Sequence, residues 1–242
     1  MMKTIGLLGG MSWESSIEYY RIINQITRER LGGLHSAKSV MVSVDFAPIE
    51  QLQNENRWED AARELIASSL QIQAAGADFL LIATNTMHKV YPEVQAAIDI
   101  PILHIADATG MKIKQLGLAK LGLLGTIYTM EEEFYSGRLS ERFGFKVLIP
   151  NNVDRRLVNR VIFEELVLGK IMPESRAQFH RVINSLVKQG AEGIILGCTE
   201  IPMIVNADDF TIPIFDTTYI HAEMAVDIAL GERELDISMN ID

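Results

Sequence analysis

The chain has 242 residues, 48% of them hydrophobic and 22% charged, which suits one large or two small soluble globular domains. Its net charge of −10 argues against nonspecific nucleic-acid binding, which needs lysine and arginine to displace counterions, but leaves room for a small anion held by backbone amides and hydroxyls. A single cysteine rules out an internal disulfide, and no stretch reaches the roughly 18 apolar residues of a membrane span, so a reducing, cytoplasmic compartment is the expectation.

Residues 4–8 read as a first strand ending in the loop Gly9-Gly10-Met11-Ser12. The apolar run there is short and broken by glycine, which speaks for a strand and against a signal peptide. Ser12 or Ser15 is placed to cap the next helix, Ser15 with Glu18 as a capping box, and Ile17, Tyr20 and Ile23 mark one face of it. That helix stops near Gly32-Gly33. Residues 40–44 form a second strand, followed by the loop Asp45-Phe46-Ala47-Pro48. Trp58, Ala62, Leu65, Ser69 and Ile72 recur at spacings of four and three, an amphipathic helix ending at Gly76. Strand 79–83 then leads to Thr84, a helix over 87–98 and a strand over 102–105.

The second half begins with a helix over 106–116 and a strand over 121–124. A helix over 131–143, a strand over 146–149, and helices over 153–168 and 174–189 follow. A buried strand over 193–196 leads to Cys198, a short helix, a strand over 212–215 and a last helix over 218–230; the polar tail 232–242 is expected to fray. Helices follow strands throughout, which predicts parallel sheets.

Three segments occur twice, in the same order. Gly6-Leu7-Leu8-Gly9 returns as Gly122-Leu123-Leu124-Gly125, Gly76-Ala77-Asp78 returns as Gly190-Ala191-Glu192, and Ile100-Pro101-Ile102 returns as Ile212-Pro213-Ile214. In this register Thr84 falls opposite Cys198. The expected fold class is therefore α/β, with two pseudo-symmetric α/β domains whose parallel sheets face each other across a central cleft. The first lobe covers 1–105 plus 216–242, and the second covers 106–215.

Ligands in open α/β sheets bind beyond the carboxyl ends of the strands. Cys198 occupies such a position, and a helix start after it would favour the thiolate through the helix dipole and free amides. Thr199 offers a hydroxyl and Glu200 a carboxylate to orient the site. In the first half, Asn85 and Thr86 follow Thr84 with an amide and a hydroxyl, groups suited to a carboxylate. An inert, buried cysteine is the commoner role for a lone one; the repeat and the polar neighbours favour function here.

Gly197-Cys198-Thr199-Glu200, Thr84-Asn85-Thr86-Met87-His88 and Gly6-Leu7-Leu8-Gly9-Gly10-Met11 together resemble the aspartate/glutamate racemase family, over nearly the whole chain. The resemblance implies two pseudo-symmetric α/β domains, a homodimer, a small amino-acid substrate, no cofactor and no metal. It implies two cysteines flanking the substrate Cα, one removing the proton and the other protonating the opposite face. Asn85, Thr86 and Thr199 match positions that hold the α-carboxylate, and Met11-Ser12 matches a substrate-contacting loop. Two departures stand out. Thr84 replaces the first cysteine, so the acid–base pair is Thr84 and Cys198. Gln51 and Val167 stand where basic residues would clamp a side-chain carboxylate.

Other signals are read as structural. The glycines of the first strand lack the G-x-G-x-x-G spacing of a dinucleotide site. His35, His88, His104, His180 and His221 show no metal-ligand spacing, and His88, near Thr84, is the best placed of them to act in a site. His104 and Asp216 follow the two Ile-Pro-Ile segments at equivalent positions, and strand-end packing accounts for both. Trp13 and Trp58 are read as packing residues, Asp45 and Glu50 as exposed loop carboxylates, and Glu131-Glu132-Glu133 as a solvated helix start. Two further functions remain open beside racemisation: a single-cysteine decarboxylase of the same fold, and a non-catalytic amino-acid-binding protein.

Overall fold

A computed structural model describes residues 1–235; most of the polar tail expected to fray lies outside the described residues. The chain divides into two compact units, Met1–Ile105 with the chain from His221 onward, and Ala106–Ile220. Residues 216–220, placed with the first lobe from sequence, fall in the second unit.

The first unit contains β1 (Ile5–Gly9), α1 (Trp13–Leu31), β2 (Ser39–Ser43), α2 (Phe46–Asn54), α3 (Trp58–Ala74), β3 (Phe79–Ile82) and α4 (Tyr91–Ala97). Its sheet has the order β2-β1-β3, all parallel, extended by a single parallel bridge between Leu80 and Ile102. The second unit contains α5 (Ile105–Gln115), which starts at the last residue of the first, then β4 (Lys120–Gly125), α6 (Ile127–Glu131) and α7 (Glu133–Phe143). It continues with β5 (Lys146–Leu148), α8 (Asn152–Glu164), α9 (Pro173–Lys188), β6 (Gly193–Gly197) and β7 (Ile214–Asp216). The parallel order there is β5-β4-β6-β7; α10 (Thr217–Leu230) starts in this unit, and from His221 on it belongs to the first. With Ile102 standing in for β7, the two sheets have the same strand order.

The repeated segments do the same work in both units. Gly76 and Gly190 end α3 and α9 at φ of 89° and 93°, a left-handed turn that glycine enters without steric cost. The acid two residues on then ties down the first strand of its own sheet. Asp78 Oδ2 accepts from Thr4 N at 2.5 Å, and Glu192 Oε2 accepts from Ala119 N and Lys120 N at 2.8 and 2.9 Å. The prolines serve as acceptors: Leu80 N donates to Pro101 O and Ile194 N to Pro213 O, both at 2.9 Å. Gly6 and Gly122 are packing glycines. A Cβ on Gly6 would stand 2.6 Å from Ile72 of α3, and one on Gly122 would stand 2.6 Å from Ile194 and 3.0 Å from Leu186 of α9. Close helix–sheet approach thus accounts for these glycines without a nucleotide.

Each sheet covers its own core. In the first unit Leu8, Leu65, Ile72, Leu80 and Ile82 pack with Met11, Met87 and Val94. In the second, Leu124, Val161, Phe179, Ile183 and Leu186 pack with Ile194, Leu196 and Ile201. Asp107, buried, adds a charged cluster: its carboxylate takes Nε and Nη2 of Arg138 at 2.6 and 2.7 Å and Nη1 of Arg142 at 3.0 Å.

Five expectations need correction. The buried face of α1 is Ser15, Ser16, Tyr19, Ile22, Ile23 and Ile26, whereas Ile17 and Tyr20 are exposed. The serines face inward because their hydroxyls satisfy the loop before them, Ser16 Oγ accepting from Gly10 N at 2.8 Å. The cap is Ser12, whose side chain accepts from Ser15 N, with no Ser15–Glu18 box. The loop at Asp45 is the start of α2, with Asp45 as its N-cap. The strand expected at 102–105 shrinks to the bridge at Ile102, because α5 starts at Ile105. Trp13, expected to pack, is 61% exposed, whereas Trp58 packs against the core of the first unit as expected, under the Lys89 ammonium 3.9 Å from the ring centroid.

Candidate active site

Strand β6 delivers Cys198, Thr199 and Glu200 from its carboxyl end. All three are buried, and Cys198 is 7% exposed. Glu200 Oε2 accepts both the Cys198 thiol, at 3.0 Å, and the Thr199 hydroxyl, at 2.8 Å. Burial raises the Cys198 pKa well above the usual thiol range, and the neighbouring Glu200 charge raises it further. The sequence reading of a stabilised thiolate is thereby reversed: the resting group is a thiol with a carboxylate acceptor in contact. Beyond Cys198 the chain forms only a three-residue 3-10 turn, Ile201–Met203. So short a turn supplies little of the aligned dipole that a full helix would.

Strand β3 delivers Thr84, Asn85 and Thr86 in the same way, all buried. A 3-10 turn, Thr86–Val90, comes next and replaces the first part of the helix expected from sequence. The loop after β1 is joined to this one. Ala83 N donates to Leu8 O at 2.9 Å, and Ser15 Oγ donates to Ala83 O at 3.3 Å. Ser12 sits at this junction as the cap of α1, its carbonyl accepting from Ser15 Oγ and Ser16 Oγ at 2.9 and 3.0 Å. Met11 is buried in the core of the first unit. Gln51 lies apart on the exposed face of α2, its amide donating to Glu55 Oε1 at 2.8 Å. Val167 packs against the core of the second unit.

Sequence reasoning passed over two features. One is Thr126, the buried cap of α6, whose hydroxyl lies 3.2 Å from that of Thr129. It follows the repeated Gly122–Gly125 segment as the Ser12 loop follows Gly6–Gly9, so the repeat pointed to it. The other is a buried cluster of rings in the first unit. His88 and His104 have centroids 4.4 Å apart, His88 and His221 6.1 Å, and Tyr91 and His104 4.9 Å. Histidines this far apart in the chain leave no spacing signal. Tautomers follow from the partners. Leu103 O can only accept, so His221 Nε2 donates to it at 2.8 Å, and Nδ1 takes the Tyr19 hydroxyl proton at 2.8 Å. Full burial lowers the His221 pKa to about 3, which keeps the ring neutral. Asp216, equivalent to His104 in the repeat, caps α10 by accepting from Thr218 N at 2.9 Å and Tyr219 N at 3.1 Å.

Two parallel α/β units with a cysteine and a threonine at equivalent strand ends define a class of two-domain α/β enzyme, and comparison with known proteins specifies it. Residues 8–225 match the model of the Asp/Glu/hydantoin racemase family, so the chain belongs to that family, whose members are isomerases. A crystal structure from Yersinia pestis, named as a candidate Asp/Glu racemase, is 55% identical, with a TM-score of 0.89 over 95% of this chain and 100% of its own. An aspartate racemase homologue from Pyrococcus horikoshii is 33% identical, with a TM-score of 0.82 over 95% of this chain and 100% of its own. A broad-specificity amino-acid racemase of Bacillus subtilis is 26% identical over 228 residues, covering 94% of this chain and 98% of that protein. Among the described residues, no helix is long and apolar enough to cross a membrane, and no cluster of side chains fits a metal ion.

Proposed function

We propose that the protein racemises aspartate, glutamate or a related polar amino acid without a cofactor, with Cys198 and Thr84 serving opposite faces of the substrate Cα. The observation that carries this reading is the buried contact of 3.0 Å between the Cys198 thiol and Glu200. A thiol held protonated beside a carboxylate is a proton donor as it stands. It becomes a base once Glu200 takes its proton, and the thiolate then removes the Cα proton from one face. Asn85, Thr86 and Thr199 hold the substrate α-carboxylate, onto which the carbanion charge spreads. Thr199 reaches it by rotating its hydroxyl away from Glu200. The Thr84 hydroxyl, a poor base, donates the proton to the other face or positions the water that does. Two copies of the chain form the working protein, with the exposed Trp13, Ile17 and Tyr20 stripe of α1 as the candidate contact.

Proton NMR in D2O with panels of L- and D-amino acids, together with chiral chromatography, tests the reading. Fast Cα exchange with retention from the L-form and slower inversion are expected, because one thiol can remove a proton and return a deuteron. At equilibrium the enantiomers have equal free energy, so kcat/KM for inversion must be equal in the two directions whatever the asymmetry of the site. No exchange with any amino acid overturns the reading. The protonated resting state of Cys198 would equally serve a decarboxylase, whose thiol protonates a carbanion left by loss of CO2. Release of CO2 from aminomalonate or arylmalonate without Cα exchange in amino acids would favour that second reading.

A further inference from the structure

His88 is buried at 1% exposure, four residues beyond Thr84, with both ring nitrogens committed to backbone atoms. Ile105 N, which can only donate, points at Nε2 from 3.2 Å. Nε2 therefore carries the lone pair, and the proton sits on Nδ1, which donates to Thr84 O at 2.8 Å. The ring is thus neutral and held in one tautomer by two groups that cannot change roles. The His104 ring packs against it at a tilt, with centroids 4.4 Å apart and planes at 56°. A ring so committed has no lone pair and no proton to spare for a substrate, which excludes it as a second base acting through water.

Its position gives it another task. The Thr84 carbonyl belongs to the peptide plane shared with Asn85 N–H, and in a trans peptide the two point in opposite directions. Holding the carbonyl at 2.8 Å on the His88 side therefore aims the Asn85 backbone N–H away from that ring and restrains the peptide that follows the Thr84 Cα, from which the Thr84 side chain leaves. This plane lies beyond β3, which ends at Ile82, and just before the 3-10 turn Thr86–Val90. We propose that His88, as its Nδ1–H tautomer, is a positioning residue that orients Thr84 and the Asn85 amide for the proton transfer on the Thr84 side of the substrate. The proposal rests on the racemase reading above, and it predicts an effect on one face of the reaction only.

Two substitutions separate the two hydrogen bonds of the ring. In His88→Asn the side-chain amide overlays Nδ1 and can still donate to Thr84 O. In His88→Gln it overlays Nε2 and can still accept from Ile105 N, but the strap to Thr84 is lost. The readout is the ratio of inversion to Cα exchange with retention, measured on L-aspartate in D2O with the full chain. This ratio is independent of the fraction of folded protein. His88→Gln is expected to lower it by about tenfold to a hundredfold, the usual cost of a reacting group displaced by about 1 Å. His88→Asn should keep the ratio within about twofold of wild type. An unchanged ratio in His88→Gln, or equal damage in both variants, overturns the proposal while exchange in the wild type upholds the racemase reading. The same ratio is read on whichever amino acid of the panel exchanges if L-aspartate does not. Absence of exchange with every amino acid in the wild type overturns that reading, and the proposal with it. Should His88→Gln fail to fold, imidazole 15N NMR of the wild type decides: an Nδ1–H ring agrees, and an Nε2–H ring overturns.

Discussion

Glu200→Gln tests the chemistry of Cys198 most directly, because two observables should move in opposite directions. The amide oxygen can accept from both the Cys198 thiol and the Thr199 hydroxyl, which now share Oε2 at 3.0 and 2.8 Å. Both of these donors keep an acceptor, so the cost in stability should stay near 1 kcal/mol. The substitution removes the group that takes the thiol proton. A positioned general base is worth about 10²–10⁴ in rate, so Cα exchange should fall at least a hundredfold, close to 3 kcal/mol of barrier. The thiol itself should become easier to ionise, since the Glu200 charge is one of the causes holding its pKa up. Burial, the larger cause, remains, so the change is partial. Cys198 is the only cysteine, so alkylation by iodoacetamide across pH reports on it alone. Exchange should drop while alkylation at a fixed mildly alkaline pH rises. Exchange within threefold of wild type, or alkylation that falls along with it, would refute the assignment of Glu200 as the proton acceptor.

Cys198→Ala should abolish Cα exchange yet keep ligand binding measurable by calorimetry, because the α-carboxylate contacts are assigned to other residues; Thr84→Cys should raise inversion relative to exchange. His221 titrates near 3 in the fold and near 6.5 in the unfolded chain, so the stability it carries is full above pH 6.5 and is lost as the pH falls toward 3. Urea denaturation should show a loss of about 2 kcal/mol from this group between pH 6.5 and 5, and His221→Gln should flatten that slope. Gly122→Ala places a Cβ 2.6 Å from Ile194 and 3.0 Å from Leu186 and should cost about 1–3 kcal/mol in the same assay, without change in the exchange rate per folded molecule.

Much of the fold was legible because the repeat encodes steric and hydrogen-bonding needs that recur in each sheet. Gly76 and Gly190, Asp78 and Glu192, and Pro101 and Pro213 mark a turn, a strand tie and a backbone acceptor, all local enough to be read one segment at a time. Helix α1 was misread because apolar periodicity locates a greasy stripe without saying what covers it. Its inward face is built partly from Ser15 and Ser16, whose hydroxyls answer the Gly9–Gly10 loop, and that requirement appears only when the loop is in place. The strand expected at 102–105 failed for a related reason. Its apolar residues are buried as expected, but Ile105 N finds the His88 ring and opens a helix, and no local sequence pattern announces a partner 17 residues away.

At the candidate site, which side chains lie together at each strand end was readable from sequence, and the direction of the Cys198 pKa shift was not. Cys198, Thr199 and Glu200 are neighbours in the chain, so their proximity needed no structure. Whether the thiol rests charged or neutral depends on a competition among dipole, desolvation and the carboxylate. Sequence suggested an α-helix after each strand, whose amides would favour the anion. In both units the strand gives way to a short 3-10 turn, Thr86–Val90 in one and Ile201–Met203 in the other, so that stabilisation is weak where it was expected to dominate. Desolvation at Cys198 outweighs the backbone amides of Glu200 and Thr199, which favour the thiolate, and the Glu200 charge adds to it. The consequence reaches the reaction itself. On the function proposed above, with Cys198 neutral at rest and Thr84 an alcohol, neither group would be a base until Glu200 accepts a proton, so the carboxylate in contact with the thiol would control entry into the cycle from the Cys198 side.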